Sequence, residues 1–455
     1  MPFVTTLAGE NFAPDLPSRL LRIAEDIRKA GGRAFLVGGW VRDALLGKNC
    51  RDYDVEVYDL AQDELVPILK NYGKTNLVGK AFGVIHLAMK GLSLDFSFPR
   101  TESKVGYGHR GFVVHTDEKL SFKEAALRRD FTINAMGMEL PELTLCDPYG
   151  GIEDLKKSVL RHVGPAFVED SLRILRGVQF ASRFALSLAP ETIELCRTLS
   201  LEDLSIERLF EEFKKWLLKP GKPSLGLKAF LDIGLDGFFP EVVPFCGSWE
   251  NLGNLLDNMA ELRASELQKD SAALSEDECS ELAFAALLAG NAVGTENRCT
   301  EGLHNRSVDL GGVSETVEKF LARITNEIHL VRKVPEILSC YGNLNFENVP
   351  PLPEMRRMAV RLGGLKLLCL LLESTPALML KTPDFAEKFT AEAQRISVYE
   401  KAPEPFLTGK LLMELGVRPG KQMGEIIKES FELQLDEKLT SVDESMAWAR
   451  EKVLH

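Results

Sequence analysis

Residues 36–57 read LVGGWVRDALLGKNCRDYDVEV, and how this stretch is read decides the rest of the chain. Arg33 to Val37 forms a short apolar strand that runs into Gly38 and Gly39. A helix-like run follows from Trp40 to Leu46 and gives way to a loop at Gly47. A second strand then carries Asp52, Tyr53 and Asp54. Alternate side chains of an extended strand share a face, so Asp52 and Asp54 point the same way and can hold metal ions between them. Two carboxylates so arranged suit hard, oxygen-loving cations such as Mg²⁺. Ahead of them, a glycine backbone without Cβ can come close to a triphosphate, and the helix N-terminus beyond it favours anions. A Gly-Gly pair alone is usually a turn, and an Asp-x-Asp alone is usually a solvated edge. Set one helix and one return strand apart, the two together imply phosphoryl chemistry.

This layout resembles the active-site motif of the nucleotidyltransferase superfamily. More closely, GGWVRD followed by RDYD is similar to the class II tRNA nucleotidyltransferases (CCA-adding enzymes) and their relatives, the bacterial poly(A) polymerases. The resemblance implies an α+β chain with a nucleotidyltransferase head, a mixed sheet with flanking helices, at 1–148. All-helical parts follow: a neck at 149–220, a body at 221–395 and a tail at 396–455. It implies addition of C, C and A to the 3′ end of tRNA from CTP and ATP, with Mg²⁺ held by Asp52 and Asp54 and the triphosphate steadied by Gly38, Gly39 and Arg42.

The bulk numbers fit such a protein. At 455 residues the chain exceeds one hydrophobic core, so two to four domains are expected. There is no apolar run of spanning length and no charged-then-apolar leader, which sets the expectation of a cytoplasmic protein with no membrane partner. The eight cysteines are scattered singly, as in a reducing compartment, and no Cys-x-x-Cys suggests structural zinc. A net charge of −12 sits badly with a nucleic-acid partner. The mean hides an uneven distribution, however: acidic residues gather in the C-terminal half, whereas Arg128, Arg129, Arg161, Arg173, Arg176 and Arg183 lie in or just after the first third. Oligomeric state is not legible.

Along the chain, an amphipathic helix spans 16–30, a second helix spans 62–71, and GVIHLAMKGLSLDFSFPR reads as a hairpin turning near Lys90 and Gly91. On its second strand Ser93, Asp95 and Ser97 share one face. A charge within a hairpin needs a partner or a metal, so Asp95 is either a third catalytic carboxylate or a structural cap of the sheet edge. His86 reads as a packed core histidine. The stretch 101–123 is polar, glycine-punctuated and without sustained periodicity. By resemblance, it is the flexible loop that helps the switch from C to A addition.

Residues 127–138, LRRDFTINAMGM, read as the start of a helix. Arg128 and Arg129 are forked donors for phosphate or ribose, and Asp130 is an acceptor for a 2′-hydroxyl, with Asn134 on the same face. The resemblance makes RRDFTINAM the ribonucleotide-selecting segment. Asp147 is a turn-former or part of a hinge. Residues 167–184, FVEDSLRILRGVQFASRF, read as a helix with Asp170 and Arg173 at i and i+3. In an arbitrary protein they would be an ordinary ion pair. In the resembling family EDxxR is a protein template whose carboxylate and guanidinium read the base, and here Asp170 and Arg173, with Arg176 nearby, stand in that place. A supporting helix follows at 204–218.

Beyond residue 222 the chain reads as helical. Where relatives carry an HD phosphohydrolase pair, Ala289 and Gly290 stand, and His304 and His329 are isolated, so the HD region is read as having lost its chemistry. In the tail, Lys410, Arg418 and Lys421 lie near glycines, either as a grip on the tRNA backbone or as a solvated face. Two other functions compete: a poly(A) polymerase or partial CC- or A-adding enzyme, and an inactive RNA-binding relative.

Overall fold

The structure, a computed structural model, describes residues 4–5, 11–12, 16–48, 50–78, 83–104, 112–219, 221–268, 274–293, 310–377 and 380–454. The chain divides into two compact units, one of Met1–Trp216 with Leu225–Leu235 and one of Leu217–Ser224 with Asp236–His455.

In the first unit a ribbon of β1 (Val4–Thr5) and β2 (Asn11–Phe12) precedes helix α1 (Ser18–Lys29). That helix buries Leu20, Ile23, Ala24 and Ile27, the stripe that a 3.6-residue period puts on one face. Next come β3 (Arg33–Val37), α2 (Gly39–Leu45), β4 (Asp54–Tyr58), α3 (Gln62–Lys70), β5 (Lys74–Val78), β6 (Val84–Met89) and β7 (Leu92–Ser97). With β10 (Gly137–Leu140) and β11 (Thr144–Cys146) the longer strands form a seven-stranded sheet in the order β11-β10-β3-β4-β7-β6-β5. Its pairs are antiparallel except β4 with β7, which run parallel and set Asp54 opposite Asp95. On β7, Leu94 and Phe96 are buried, which leaves Ser93, Asp95 and Ser97 on the open face.

The face of β4 that carries Asp54 is covered further along. Helix α4 (Phe122–Ala126), capped by Ser121 and Glu124, stacks Phe122 on Phe35 at 5.0 Å, and Tyr58 meets Phe35 edge-on at 5.1 Å. After the sheet come α5 (Gly151–Lys156), β12 (Val159–Leu160), α6 (Leu172–Phe184), β13 (Ser187–Leu188), α7 (Pro190–Cys196) and α8 (Ile206–Leu218).

Several readings need correction. Residues 127–138 are not helical: after α4 the chain turns, makes one 3-10 turn at Thr132–Asn134 and enters β10. Backbone pairing decides this, since Thr132 donates to the Arg161 carbonyl and β10 pairs with β3. The helix expected from 167 begins at Leu172. Pro165–Glu169 is a 3-10 turn, and Asp170 is extended and accepts from the Leu172 N–H. Asp52 precedes its strand rather than lying in it, although Tyr53 is buried between two aspartates that reach into the open cleft, as alternation requires. His86 lies on the open face, not in the core, with Nδ1 2.6 Å from Asp95 Oδ1 and Nε2 3.0 Å from Ser93 Oγ. The stretch read as aperiodic pairs β8 (Arg100–Lys104) with β9 (Phe112–Thr116), in keeping with its β-prone FVVHT. Residues 117–121 turn into α4, and 105–111 of that expected loop lie outside the described residues. Asp147 caps α5, accepting from the N–H groups of Gly151 and Ile152.

The second unit is helical among its described residues. Glu276–Leu288 is buried on every side from Cys279 to Leu288, as a central core helix must be. His329 is not isolated: its ring lies 3.1 Å from Glu281 and 3.6 Å from Asp277. His304 lies outside the described residues. Lys410, Arg418 and Lys421 are exposed. Among the described residues no helix is long and apolar enough to cross a membrane.

Candidate active site

A cleft of about 610 Å³ opens in the first unit, and its wall gathers Gly38, Gly39, Arg42, Asp52, Asp54, Arg128, Arg129, Asp130, Asn134, Asp170, Arg173 and Arg176. Of the catalytic and nucleotide-binding residues expected from the sequence in this unit, Asp95 is the one absent from that wall; it stands beside Asp54 across the β4–β7 pair.

Gly38 ends β3 with φ +68°, a left-handed conformation that side chains rarely adopt, and so turns the chain into α2. From there Asp52 and Asp54 face the cleft. Burial, then the charges of Asp52 and Asp95, push Asp54 up to about 6, against the pull of Arg129. The neighbouring carboxylates therefore raise the cost of charging Asp54, and a hard divalent cation between Asp52 and Asp54 would relieve that repulsion. The donor set fits such an ion.

The basic side of the cleft is a bonded network. Arg42 is buried, donates from Nη1 to Asn134 Oδ1 at 2.5 Å and from Nε to Asp43 at 3.0 Å, and lies 4.0 Å from the centre of the Phe184 ring. Burial pulls its pKa down against the opposing pull of Asp43. Asn134 donates in turn to Asp130 Oδ1 at 3.0 Å, and Asp130 Oδ2 accepts from Arg176 Nε at 2.7 Å. Burial works against the Asp130 charge, yet Arg176, Asn134 and the Phe131 N–H outweigh it and hold the carboxyl below its ordinary range. Asp130 and Asn134 meet as expected, but through a 3-10 turn instead of a helix face.

Arg173 and Asp170 do not pair with each other. Arg173 donates to the carbonyls of Ala166 and Arg128, at 2.5 and 2.7 Å, whereas Asp170 Oδ2 lies 2.8 Å from Arg208 Nη2. The expected i, i+3 pair is absent because Asp170 lies ahead of the helix.

Three participants went unread in the sequence. Arg208 and Lys215, from α8, reach the cleft wall, and Glu56 lies buried under the RRD arginines. Glu56 continues the alternation of Asp52 and Asp54, which was the available signal. Nothing local marked Arg208.

Residues 34–161 match the Poly A polymerase head domain. The Multifunctional CCA protein of Xanthomonas campestris pv. campestris (strain B100) is 41% identical over 218 residues, which cover 46% of this chain and 51% of that protein. Its counterpart in Stenotrophomonas maltophilia (strain R551-3) is 39% identical over 223 residues, 47% and 53% of the two chains. The chain thus spans about half the length of the curated relatives it matches. Among solved structures, the Bacillus stearothermophilus CCA-adding enzyme in complex with CTP aligns over 96% of this chain and 97% of its own, with TM-score 0.64 and 23% identity. The Thermotoga maritima CCA-adding enzyme complexed with tRNA aligns over 100% of both chains, with TM-score 0.61 and 20% identity. At such identities these two establish a shared α+β fold, a mixed-sheet head followed by helices. Residues 34–161 are thus similar to the Poly A polymerase head domain, in keeping with the class II nucleotidyltransferases that the motifs of this stretch resemble.

Proposed function

We propose that the chain is a template-independent RNA nucleotidyltransferase that adds C, C and A to the 3′ end of tRNA from CTP and ATP, releasing pyrophosphate, in the cytoplasm where that substrate lies. The observation that carries the reading is the convergence in one cleft of an aspartate pair, a left-handed glycine turn, the RRD arginines and the Asp170–Arg173 segment. Curated relatives bearing the name Multifunctional CCA protein support it.

In this reading Asp52 and Asp54 hold Mg²⁺, which when bound favours ionisation of the attacking 3′-hydroxyl and neutralises charge at the departing pyrophosphate. Gly38 and Gly39 allow the triphosphate close to the backbone, and Arg129, braced across Glu56 by Arg128, supplies its counter-charge. Arg42, Asn134, Asp130 and Arg176 lock together the walls on which the nucleotide rests. Asp170 accepts from the amino group that C and A share, exchanging Arg208 for the base, and Arg173 presents a guanidinium fixed by two carbonyls. Asp95, held by His86, completes the carboxylate group beside Asp54. The four-part division into head, neck, body and tail is proposed with it, the exposed Lys410, Arg418 and Lys421 being the tail's contribution to tRNA binding.

The test is extension of tRNAs ending before the first C, after one C and after two, each with single labelled nucleotides. The expectation is C, C and then one A, and no incorporation by Asp52→Ala or Asp54→Ala proteins that melt like the parent. Repeated A addition to any RNA end would instead mark a poly(A) polymerase, and unimpaired CTP incorporation by either variant would defeat the mechanism.

A further inference from the structure

Glu56 is 1% exposed, on the strand that carries Asp54 and two residues beyond it. A carboxylate this deep is costly unless it is paired and hydrogen-bonded. Its partners are specific. Oε1 lies 3.1 Å from Arg128 Nη2, while Oε2 lies 3.3 Å from Arg129 Nη2 and accepts from the Tyr58 hydroxyl at 2.7 Å. One negative charge thus faces two guanidiniums, which leaves this group with an excess of positive charge toward the cleft.

Arg129 is the guanidinium nearer the chemistry. A Cβ built on Gly38 would meet its Nη1 at 3.6 Å, and its charge acts on Asp54. It therefore stands between the glycine turn and the aspartate pair. The segment bearing Arg128 and Arg129 is a turn, not a helix, so no regular backbone fixes where these long side chains point. Glu56, on a central strand of the sheet and braced by a phenol that is itself wedged against Phe35, supplies their charged fixed point, beside the longer 3.5 Å contact of Arg129 Nη1 with the Asn134 carbonyl.

We infer that Glu56 is a positioning residue that aims Arg129, with Arg128 as its counter-brace, at the anionic group of the nucleotide beside Gly38. The inference rests on the nucleotidyl-transfer reading above and adds a residue to it. A glutamine at 56 has one acceptor oxygen and brings an NH₂ against a guanidinium donor, so one arginine loses its hold. An aspartate keeps the charge but draws it back by a methylene.

The experiment is calorimetric CTP binding to the full chain with Mg²⁺ present, for the parent, Glu56→Gln, Glu56→Asp, Arg129→Ala and the Glu56→Gln/Arg129→Ala double variant. Glu56→Gln is expected to weaken binding about tenfold or more, as loss of a hydrogen bond to a charged group does. Glu56→Asp should fall between it and the parent, and decides the matter if Glu56→Gln does not fold. In the double variant binding should be within about twofold of Arg129→Ala alone, because Glu56 acts through that side chain. A merely structural role would weaken binding again in the Arg129→Ala background, and that result would overturn the inference. So would parental affinity in both Glu56 variants while Arg129→Ala is impaired. A parent that binds no CTP would overturn the nucleotidyl-transfer reading itself, a distinguishable result.

Discussion

Replacing Asp130 by asparagine tests whether the cleft walls are strapped together by buried charge. Asp130 is 8% exposed and takes hydrogen bonds from Arg176, Asn134 Nδ2 and the Phe131 N–H. Asparagine keeps one acceptor for the Asn134 side but loses the charge that holds Arg176. Breaking a fully buried pair costs about 3–5 kcal/mol. The Arg176 side chain is 33% exposed, so water compensates part of the loss, and about 2 kcal/mol is the appropriate figure. For a unit of about 150–250 residues that lowers Tm by roughly 4–8 °C. Scanning calorimetry of the full chain reads it directly. The pH dependence has a definite sign. The folded carboxyl lies below its unfolded value, so its contribution is complete above the unfolded pKa and disappears as pH falls through the folded one. The gap between parent and Asp130→Asn should therefore be full at neutral pH and close in acid, below about pH 4. A variant that melts within about 1 °C of the parent at pH 7, or a gap that persists in acid, would refute the strap. If Asp130 instead served only to read a ribose hydroxyl, the melt would be unchanged while discrimination between CTP and dCTP collapsed.

Two further outcomes follow from the same geometry. Asp54 is pushed up to about 6 by burial and by Asp52 and Asp95, so a cation must compete with a proton there; Mg²⁺ affinity measured by calorimetry should weaken as pH falls through about 6, and an affinity flat from pH 5 to 8 would contradict it. Phe122→Ala removes the ring stacked on Phe35 over the sheet and should cost about 3 kcal/mol, read by urea unfolding, because α4 and the RRD turn behind it lose their anchor.

Much of the head was legible because its signals are local. The two glycines, the alternation through Asp52, Tyr53 and Asp54, and the Lys90–Gly91 hairpin each express a rule that acts within a few residues. The errors fell where distant partners overrule local pattern. LRRDFTINAMGM has helical spacing, but its backbone is claimed by β3 and by the Arg161 carbonyl, and neither is adjacent in sequence. Asp170 and Arg173 have the spacing of a helical ion pair, yet each is held by a residue some 38 to 45 positions away.

The same separation explains why Glu56 escaped notice. Its two arginines lie 72 and 73 residues downstream, and a lone Glu in a strand reads as one more solvated position. Once folded, Glu56 and Asp130 do the same physical job. Each is a buried carboxylate that fixes arginines belonging to another segment. An arginine free to rotate would have to lose that freedom on binding a nucleotide, whereas one already held by a buried anion loses less and meets the phosphate in a set direction. On the proposed reading, a cleft that accepts two different bases on one triphosphate gains from this arrangement. In that reading the phosphate-facing cations stay fixed, and selection is left to Asp170, whose partner Arg208 would be exchanged for the base. Substitutions at Asp170 or Arg208 should then change which nucleotide is chosen, whereas those at Glu56 should weaken CTP and ATP alike.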